Sequence, residues 1–316
     1  MTYLMSAFVN ASELTIEEIN ARETGIRLFN QFKAISATPF LETAAQAGDA
    51  EAQYYLGEAL RKNNRSMTHE SQRWLEAAAN QGHIYAMIRL GRSSSDLCSI
   101  MSNCPQGKRS PAEWLEHARR TTLSLANNGD AEAMFLMYEI TSNADWLSKA
   151  AEAGYALAQY WKAVSIYEGT GFYLFGNRKK DAARWFKASA EGGYPKSMRY
   201  YIAILADKGD WEGIRHWHYE MAKTGFADGV FELGLHLIHQ PKRYDYKLDL
   251  VRGYGLLSLL LELDGGGDLK SYAEEILSRL SSKMTPEQIE QAQEFAEKWK
   301  ATHPPVSYFP DKLSIY

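Results

Sequence analysis

Cysteine, long apolar runs and long basic runs are all scarce in this sequence of 316 residues. Its two cysteines have no further metal ligands at useful spacing nearby, so a structural zinc site is not expected. No run reaches about eighteen apolar residues, which argues against a transmembrane helix. The net charge is −4 without a long basic segment, and this argues against nucleic acid as the main partner.

Catalytic motifs are equally scarce. The sequence has no nucleophile elbow, no His-Glu-x-x-His pattern and no protein-kinase motif. Four of its eight histidines occur close together, at His216, His218, His236 and His239. Only the last two share a helix face, and no nearby cysteine or well-placed carboxylate completes a zinc site, so all four are interpreted as polar or half-buried helix residues. We predict a protein that is not an enzyme and has neither a cofactor nor a metal.

The sequence does contain one short pattern of residues that is repeated along most of its length. Its most regular feature is a set of anchor glycines, Gly48, Gly82, Gly129, Gly154, Gly193 and Gly225. An alanine stands three residues before each anchor, at Ala45, Ala79, Ala126, Ala151, Ala190 and Ala222. Eight residues before the anchors stand Phe40, Trp74, Thr121, Trp146, Trp185 and Trp217. Four residues after them, all the residues are small: Ala52, Ala86, Ala133, Ala158, Ser197 and Gly229.

Each position of this pattern has a physical function in a stack of helical hairpins. Glycine after an alanine-rich helix end supplies a left-handed stop. Small residues let two helices approach closely, and one aromatic fills the gap to the next hairpin. We therefore expect Trp146 and Trp185 to be buried between hairpins. A single hairpin cannot bury its own apolar face, so the unit is stable only when stacked.

The repeated pattern resembles that of the Sel-one-like repeat family, relatives of the tetratricopeptide arrays. The resemblance is carried by Asp181-Ala-Ala-Arg-Trp-Phe-Lys-Ala-Ser-Ala-Glu-Gly-Gly and Ala50-Glu-Ala-Gln-Tyr-Tyr-Leu-Gly, and it extends from about Thr38 to Leu263. The spacing between anchors is unequal, which departs from the family pattern. The resemblance implies an all-α superhelical solenoid of helix-turn-helix repeats.

We predict one domain over residues 1–316, with an N-terminal cap at 12–37, repeats at 38–263, capping helices at 264–302 and an extended tail at 303–316. Capping-box sequences at Thr15, Ser110 and Thr285 predict three helix starts. Thr38 and Pro39 predict a fourth, with the proline in the first helical position. Residues 93–109 are interpreted as a loop insertion. Residues 169–176 are interpreted as a turn between helices whose aromatics pack on a neighbouring unit, with an exposed tip that contacts a partner as the alternative.

A row of side chains at positions three, six and ten after the anchors points away from the predicted core, at about 100° per residue. We predict that it forms a concave partner-binding strip of Tyr54, Glu58, Tyr85, Ile88, Arg92, Phe135, Glu139, Tyr160, Arg199 and Phe231. Aromatic and arginine residues dominate the binding energy of protein interfaces. Packing against an adjacent unit or against the tail is the alternative.

The family includes adaptors, regulators of cell-envelope processes and bacterial immunity proteins. Several immunity proteins of type VI secretion phospholipase effectors resemble this layout. The resemblance implies a protein partner, and we expect an immunity protein that neutralises such a toxin. A general scaffold or regulator of an envelope or signalling process is the alternative, and an enzyme with a site in the groove is the third.

Two interpretations of Cys98 and Cys104 stay open. They are either reduced thiols in a loop or a small disulfide loop, which would indicate an oxidising compartment. The segment from Met1 to Val9 is short and lacks a basic start, so as given it is not a signal peptide, although an earlier leader stays possible. We expect a periplasmic protein, with the cytoplasm as the alternative.

Overall fold

The computed structural model describes residues 14–169, 178–263, 268–308 and 312–313. These residues form α-helices, two short 3-10 helices and one isolated backbone bridge, so the predicted all-α solenoid of helix-turn-helix repeats is confirmed. The start of the chain and residues 170–176 of the predicted turn lie outside the described ranges. Within those ranges, no helix combines the length and apolar character needed to cross a membrane.

The chain divides into two compact units, the first of residues 1–118 and 311–316 and the second of residues 119–310. That both units form a single domain stays a prediction. The helices of the first unit are α1 Ile16–Asn30, α2 Ala34–Gln46, α3 Ala50–Asn64, α4 His69–Asn80, α5 Ile84–Gly91 and α6 Leu97–Ile100. Helix α7, Pro111–Asn127, contains the division between the units.

The second unit continues the alternation of helices and turns. Its helices are α8 Ala131–Thr141, α9 Ala144–Glu152, α10 Ala156–Glu168, α11 Arg178–Glu191, α12 Pro195–Lys208, α13 Trp211–Lys223, α14 Ala227–Leu237, α15 Leu250–Leu259, α16 Leu269–Ser281 and α17 Pro286–Thr302. From α1 to α5 and from α8 to α16 each helix packs on the next, as the repeat pattern requires, and α17 packs on α15.

The helix starts agree with the capping signals except at Pro39. Thr15 and Thr285 form complete capping boxes, and Ser110 exchanges the same pair of bonds with Glu113. The prediction that Pro39 begins a helix is wrong, because it lies inside α2. Phe32 adopts a left-handed conformation (φ 61°) that ends α1 early, and the chain enters α2 at Ala34.

All six anchor glycines have the left-handed conformation that the sequence predicts, with φ angles from 77° at Gly225 to 99° at Gly48. Each anchor donates its N–H to the carbonyl of the alanine three residues earlier; the bond from Gly154 to Ala151, for example, is 3.1 Å. These alanines are fully buried. The anchors therefore end one helix and direct the chain into the next.

The position that fills the core is one residue later than predicted. Trp146 and Trp185 are only half-buried, which corrects the expectation that they are buried between hairpins, and Phe40 is 42% exposed. The buried residues are those seven before the anchors: Leu41, Leu75, Thr122, Leu147, Phe186 and His218. The tryptophans lie at the edge of the stack under cations, with Lys149 4.6 Å from the Trp146 ring and Lys162 4.3 Å from the Trp185 ring.

The insertion at 93–109 is more ordered than a loop, since it contains a 3-10 helix at Ser93–Ser95 and α6. Cys98 and Cys104 are joined by a disulfide bond there. Asp96 accepts the backbone N–H of Met67 (2.8 Å) and pairs with the buried Arg61 (3.2 Å). A buried charge needs such partners, so the carboxylate fixes the insertion to the interior of the first unit.

Candidate functional site

The predicted strip is largely covered in the first unit. Tyr54, Glu58 and Ile88 are 1%, 2% and 0% exposed, so the part of the prediction that placed them on a binding surface is corrected. Ile88 is in the core of the unit. Glu58 pairs with Arg89 (2.8 Å) and with Arg61 (3.2 Å), which satisfies its charge inside the protein. Arg92, at the C-terminal end of α5, is half-buried.

The C-terminal tail occupies the surface at Tyr54 and Tyr85. The Tyr54 hydroxyl donates a hydrogen bond to the carbonyl oxygen of Lys312. The Lys312 ammonium lies 4.8 Å from the centre of the Tyr85 ring and 3.6 Å from a carboxylate oxygen of Glu51. At this end of the strip the structure shows the alternative interpretation, in which the strip residues pack against the C-terminal tail.

His83 completes this aromatic cluster, with its ring stacked on Tyr54 at 4.6 Å. Burial and, to a smaller extent, the positive charge of Lys312 lower the pKa of His83 to about 4. His83 is therefore neutral at ordinary pH and accepts the N–H of Ala86 through Nδ1 (3.3 Å), which caps α5.

In the second unit the strip is mixed. Phe135 is 3% exposed and packs against Tyr155 at 5.5 Å, so its place on the predicted surface is also corrected. Glu139, Tyr160 and Phe231 are half-buried. Among the strip residues, Arg199 retains the most surface, and it pairs with Glu232 (2.8 Å) and with Asp228 (3.1 Å).

Tyr160 is the centre of a chain of touching rings that we call the aromatic row. The row consists of Tyr194, Tyr160, Tyr200, Phe186 and Tyr167. Tyr160 lies 5.0 Å from Tyr194 and 6.0 Å from Tyr200, measured between ring centroids. Tyr200 stacks on Phe186 at 4.6 Å with the planes 2° apart, and Tyr167 approaches Phe186 edge-on at 6.4 Å. Such contacts hold the rings in place before any partner arrives.

The aromatic row has a large exposed component. Tyr167 is 58% exposed and Tyr200 is 40% exposed, and Trp161, 5.3 Å from Tyr160, is 39% exposed. These three residues were missing from the predicted strip. Trp161 and Tyr200 stand seven residues after an anchor glycine, one helical turn beyond position three, so extending the row by four residues would have found them.

A cavity of about 580 Å³ lies between α11 and α12, and Phe186, Tyr200 and Tyr167 of the aromatic row form part of its wall. Ile204 and Tyr201 extend the apolar wall. The charged residues around it are Lys179, Lys180, Arg184, Lys187, Asp207 and Lys208. The volume falls in the range of about 300–1,000 Å³ that is usual for ligand sites.

The predicted histidine group is partly assembled. His218 and His236 lie 4.7 Å apart, and His218 Nδ1 is 3.0 Å from the hydroxyl of Tyr246. His239 Nε2 is 2.8 Å from the Tyr246 carbonyl, whereas His216 is exposed.

Burial lowers the pKa of His218 to about 3, and His236 and Arg199 add to that shift. Across the ranges the structure describes, no three His, Cys, Asp or Glu residues are placed to hold a metal ion. His218 and His236 are buried and belong to the polar interior of the second unit.

No protein-family model and no curated protein matches the chain. One similar solved structure is c5321, described as a protective antigen present in uropathogenic Escherichia coli strains displaying an SLR fold. It is 18% identical with a TM-score of 0.48, and the match covers 92% of this chain but only 62% of that one. Another is a Sel1 repeat protein from Oxalobacter formigenes, 16% identical with a TM-score of 0.39, matched over 82% of this chain and 99% of that one.

Proposed function

We propose that this protein is a non-catalytic protein-binding module, and specifically an immunity protein that binds and neutralises a secreted bacterial toxin of the type VI phospholipase class. The observation that supports a binding function is the aromatic row with its exposed neighbour Trp161. Tyr167, Tyr200 and Trp161 expose between 39% and 58% of their surface within one short stretch of the fold.

Neighbouring exposed aromatic side chains mark interaction sites more often than isolated ones do. Tyrosine, tryptophan and arginine carry most of the energy in protein interfaces, and a partner gains most from rings that are already fixed. The rings of the row hold one another in place. The exposed Arg199 immediately precedes Tyr200 in the sequence. The exposed face of α10 and α12 is thus suited to a large protein surface.

Neutralisation requires this surface to hold the toxin tightly enough to block its active site or lock its conformation. We place the encounter in the periplasm, where the Cys98–Cys104 disulfide would persist. A general scaffold of an envelope process would use the same surface but would not protect against a toxin.

The test is co-expression with a phospholipase toxin encoded beside this chain in its genome, with both proteins directed to the periplasm by fused leaders. The unchanged chain should restore growth, and the same chain kept in the cytoplasm should not. The double substitution Trp161→Ala and Tyr200→Ala should weaken toxin binding by more than about 1 kcal/mol for each residue removed.

Tyr272→Ala is the matched control, because Tyr272 is 51% exposed on α16 of the same unit, away from the aromatic row. Both variants should keep the helical circular dichroism of the parent. Full protection by the Trp161 and Tyr200 variant would remove the aromatic row as the binding surface. Absence of protection against any neighbouring toxin would reject the immunity function and favour a scaffold.

A further inference from the structure

The charge around the cavity between α11 and α12 is opposite to that of the whole chain. Five cationic side chains and one carboxylate line it, a local excess of four positive charges, whereas the chain carries a net charge of −4. Lys187 pairs with Glu191 at 3.4 Å, but both side chains are about half exposed and such a pair contributes little. Lys179, Lys180 and Lys208 form no ion pair with any described residue.

Two of these lysines stand where a helix disfavours them. Lys179 and Lys180 lie in the first turn of α11, which begins at Arg178. The amino end of a helix carries a partial positive charge, so cations there reduce helix stability and acidic residues would raise it. Positive charge kept at an unfavourable place, without an internal partner, indicates a requirement from outside the helix.

The wall of the same cavity is apolar and rigid. Tyr200 forms one side of the cavity, and the fully buried ring of Phe186 stacks beneath Tyr200. Ala183 and Ala203 also line the cavity, and their small side chains leave space beside the rings. A group that enters here would meet aromatic faces below and ammonium or guanidinium groups at the rim.

We infer that this cavity binds an acidic segment of the protein partner that carries an aromatic side chain. The aromatic side chain would fill the space beside Tyr200, and the flanking carboxylates would contact Lys179, Lys180 and Lys208. The inference rests on the proposed function and gives the chemistry of the partner. Because the remaining surface is net negative, an acidic partner is repelled elsewhere and is oriented onto this cavity.

Other polyanions fit these features less well. A nucleic acid binds along an extended basic track, and the sequence has no long basic segment. An anionic membrane would require a broad basic face, whereas Lys179, Lys180 and Lys208 lie around one cavity whose wall is aromatic. A peptide that alternates carboxylates with one aromatic anchor matches both the charge and the shape.

The probe is a fluorescently labelled synthetic peptide with one tryptophan flanked on both sides by several glutamates. It is titrated against the full chain, and its binding should weaken as salt is raised. A second peptide has glutamine at every glutamate position, and a third has alanine in place of tryptophan. Both should bind at least about fivefold more weakly if charge and anchor each contribute about 1 kcal/mol.

The decisive variant is the double substitution Lys179→Glu and Lys180→Glu. It places acidic residues in the first turn of α11, where they favour the helix, so the fold is preserved. Peptide affinity should fall by about tenfold or more, since attraction is replaced by repulsion. The control is Lys242→Glu with Lys247→Glu, which changes the net charge equally at two exposed lysines of the same unit outside the cavity. Its affinity should stay within about twofold of the parent.

Equal loss in both double variants would reduce the effect to net charge and overturn the inference. The inference would also be overturned if the parent does not bind the peptide but binds phosphatidylglycerol vesicles through Lys179 and Lys180. If the α11 variant fails to lose affinity for the peptide but the parent still protects against the toxin, the proposed function stands and only the cavity is wrong. If no toxin is inhibited while the peptide binds as expected, the immunity function fails and the cavity site stands.

Discussion

At the scale of single residues, one position in the repeat determines how each hairpin closes. Seven residues before each anchor, a side chain enters the core, and in four of the six repeats it is leucine or phenylalanine. His218 occupies this position in the last repeat and is 2% exposed. Its burial, and hence its lowered pKa, is therefore a consequence of the repeat register, and it does not indicate a metal site.

The same register gives a direct test with two neighbouring residues of α11. Phe186 is 0% exposed, whereas Trp185 is half-buried with Lys162 over its ring. Phe186→Ala should lower the free energy of unfolding by about 3–5 kcal/mol, because it leaves a cavity in the core. Trp185→Ala should cost clearly less, since part of its surface is already in water. Urea unfolding followed by circular dichroism measures both, and an equal or larger loss for Trp185→Ala would contradict the register.

At the scale of elements, the C-terminal tail is held by the turn between α13 and α14. Ala227 donates its N–H to the carbonyl of Ser307 (2.8 Å), and Ser307 donates to the carbonyl of Gly225 (2.8 Å). Val306 is 5% exposed and joins the apolar core of this unit. The extended backbone of the tail thus pairs with a helix-connecting turn, where no strand was available.

Gly225 allows this pairing because it has no side chain. Its φ of +77° already disfavours other residues, and a Cβ there would lie 2.7 Å from the carbonyl oxygen of Pro305. Gly154 has a similar φ of +92°, but a Cβ there would meet no atom within 4 Å. Gly154→Ala should therefore cost only about 1–2 kcal/mol of backbone strain, whereas Gly225→Ala should cost more and also displace the tail.

Hydrogen exchange separates the two effects. The amides of Ala227 and Ser307 should lose protection in Gly225→Ala and keep it in Gly154→Ala, because only the first substitution disrupts their hydrogen bonds. Thermal unfolding gives the loss of stability for each variant. Unchanged protection of both amides in Gly225→Ala would show that the turn tolerates a side chain beside the tail.

At the scale of the whole molecule, both units contain a histidine that is neutral in the folded state. Burial lowers the pKa of His83 in the first unit to about 4 and that of His218 in the second unit to about 3. In the unfolded chain both titrate near 6.5. Between these values the unfolded state binds protons that the folded state does not, so stability falls as the pH falls.

We expect the contribution of these two histidines to the free energy of unfolding to be nearly constant above pH 6.5 and to decrease below that pH. Each of the two histidines contributes a slope of about 1.4 kcal/mol per pH unit, down to pH near 4 for His83 and near 3 for His218. His218→Leu should flatten the dependence of stability on pH relative to the parent. Denaturant unfolding at several pH values checks this, and equal slopes in the parent and the variant would contradict it.

The sequence alone determined the features that depend on a few neighbouring residues. The six anchor glycines, the capping boxes and three of the four predicted helix starts follow from local backbone preference and nearby hydrogen bonds, which the sequence shows directly. The all-α solenoid follows too, because hairpins that share this pattern are stable only when stacked and because the pattern resembles that of the Sel-one-like repeat family.

Only the tertiary structure decided which side chains meet. A shift of one residue turns a helix position by about 100°, so the sequence assigned the core position to Trp185, whereas the structure buries the next residue, Phe186. Tyr54 is covered by Lys312, which stands 258 positions away in the chain, and no periodicity reports such a contact. Burial is a property of the neighbours that packing brings from distant sequence, whereas a glycine turn is a property of its own backbone.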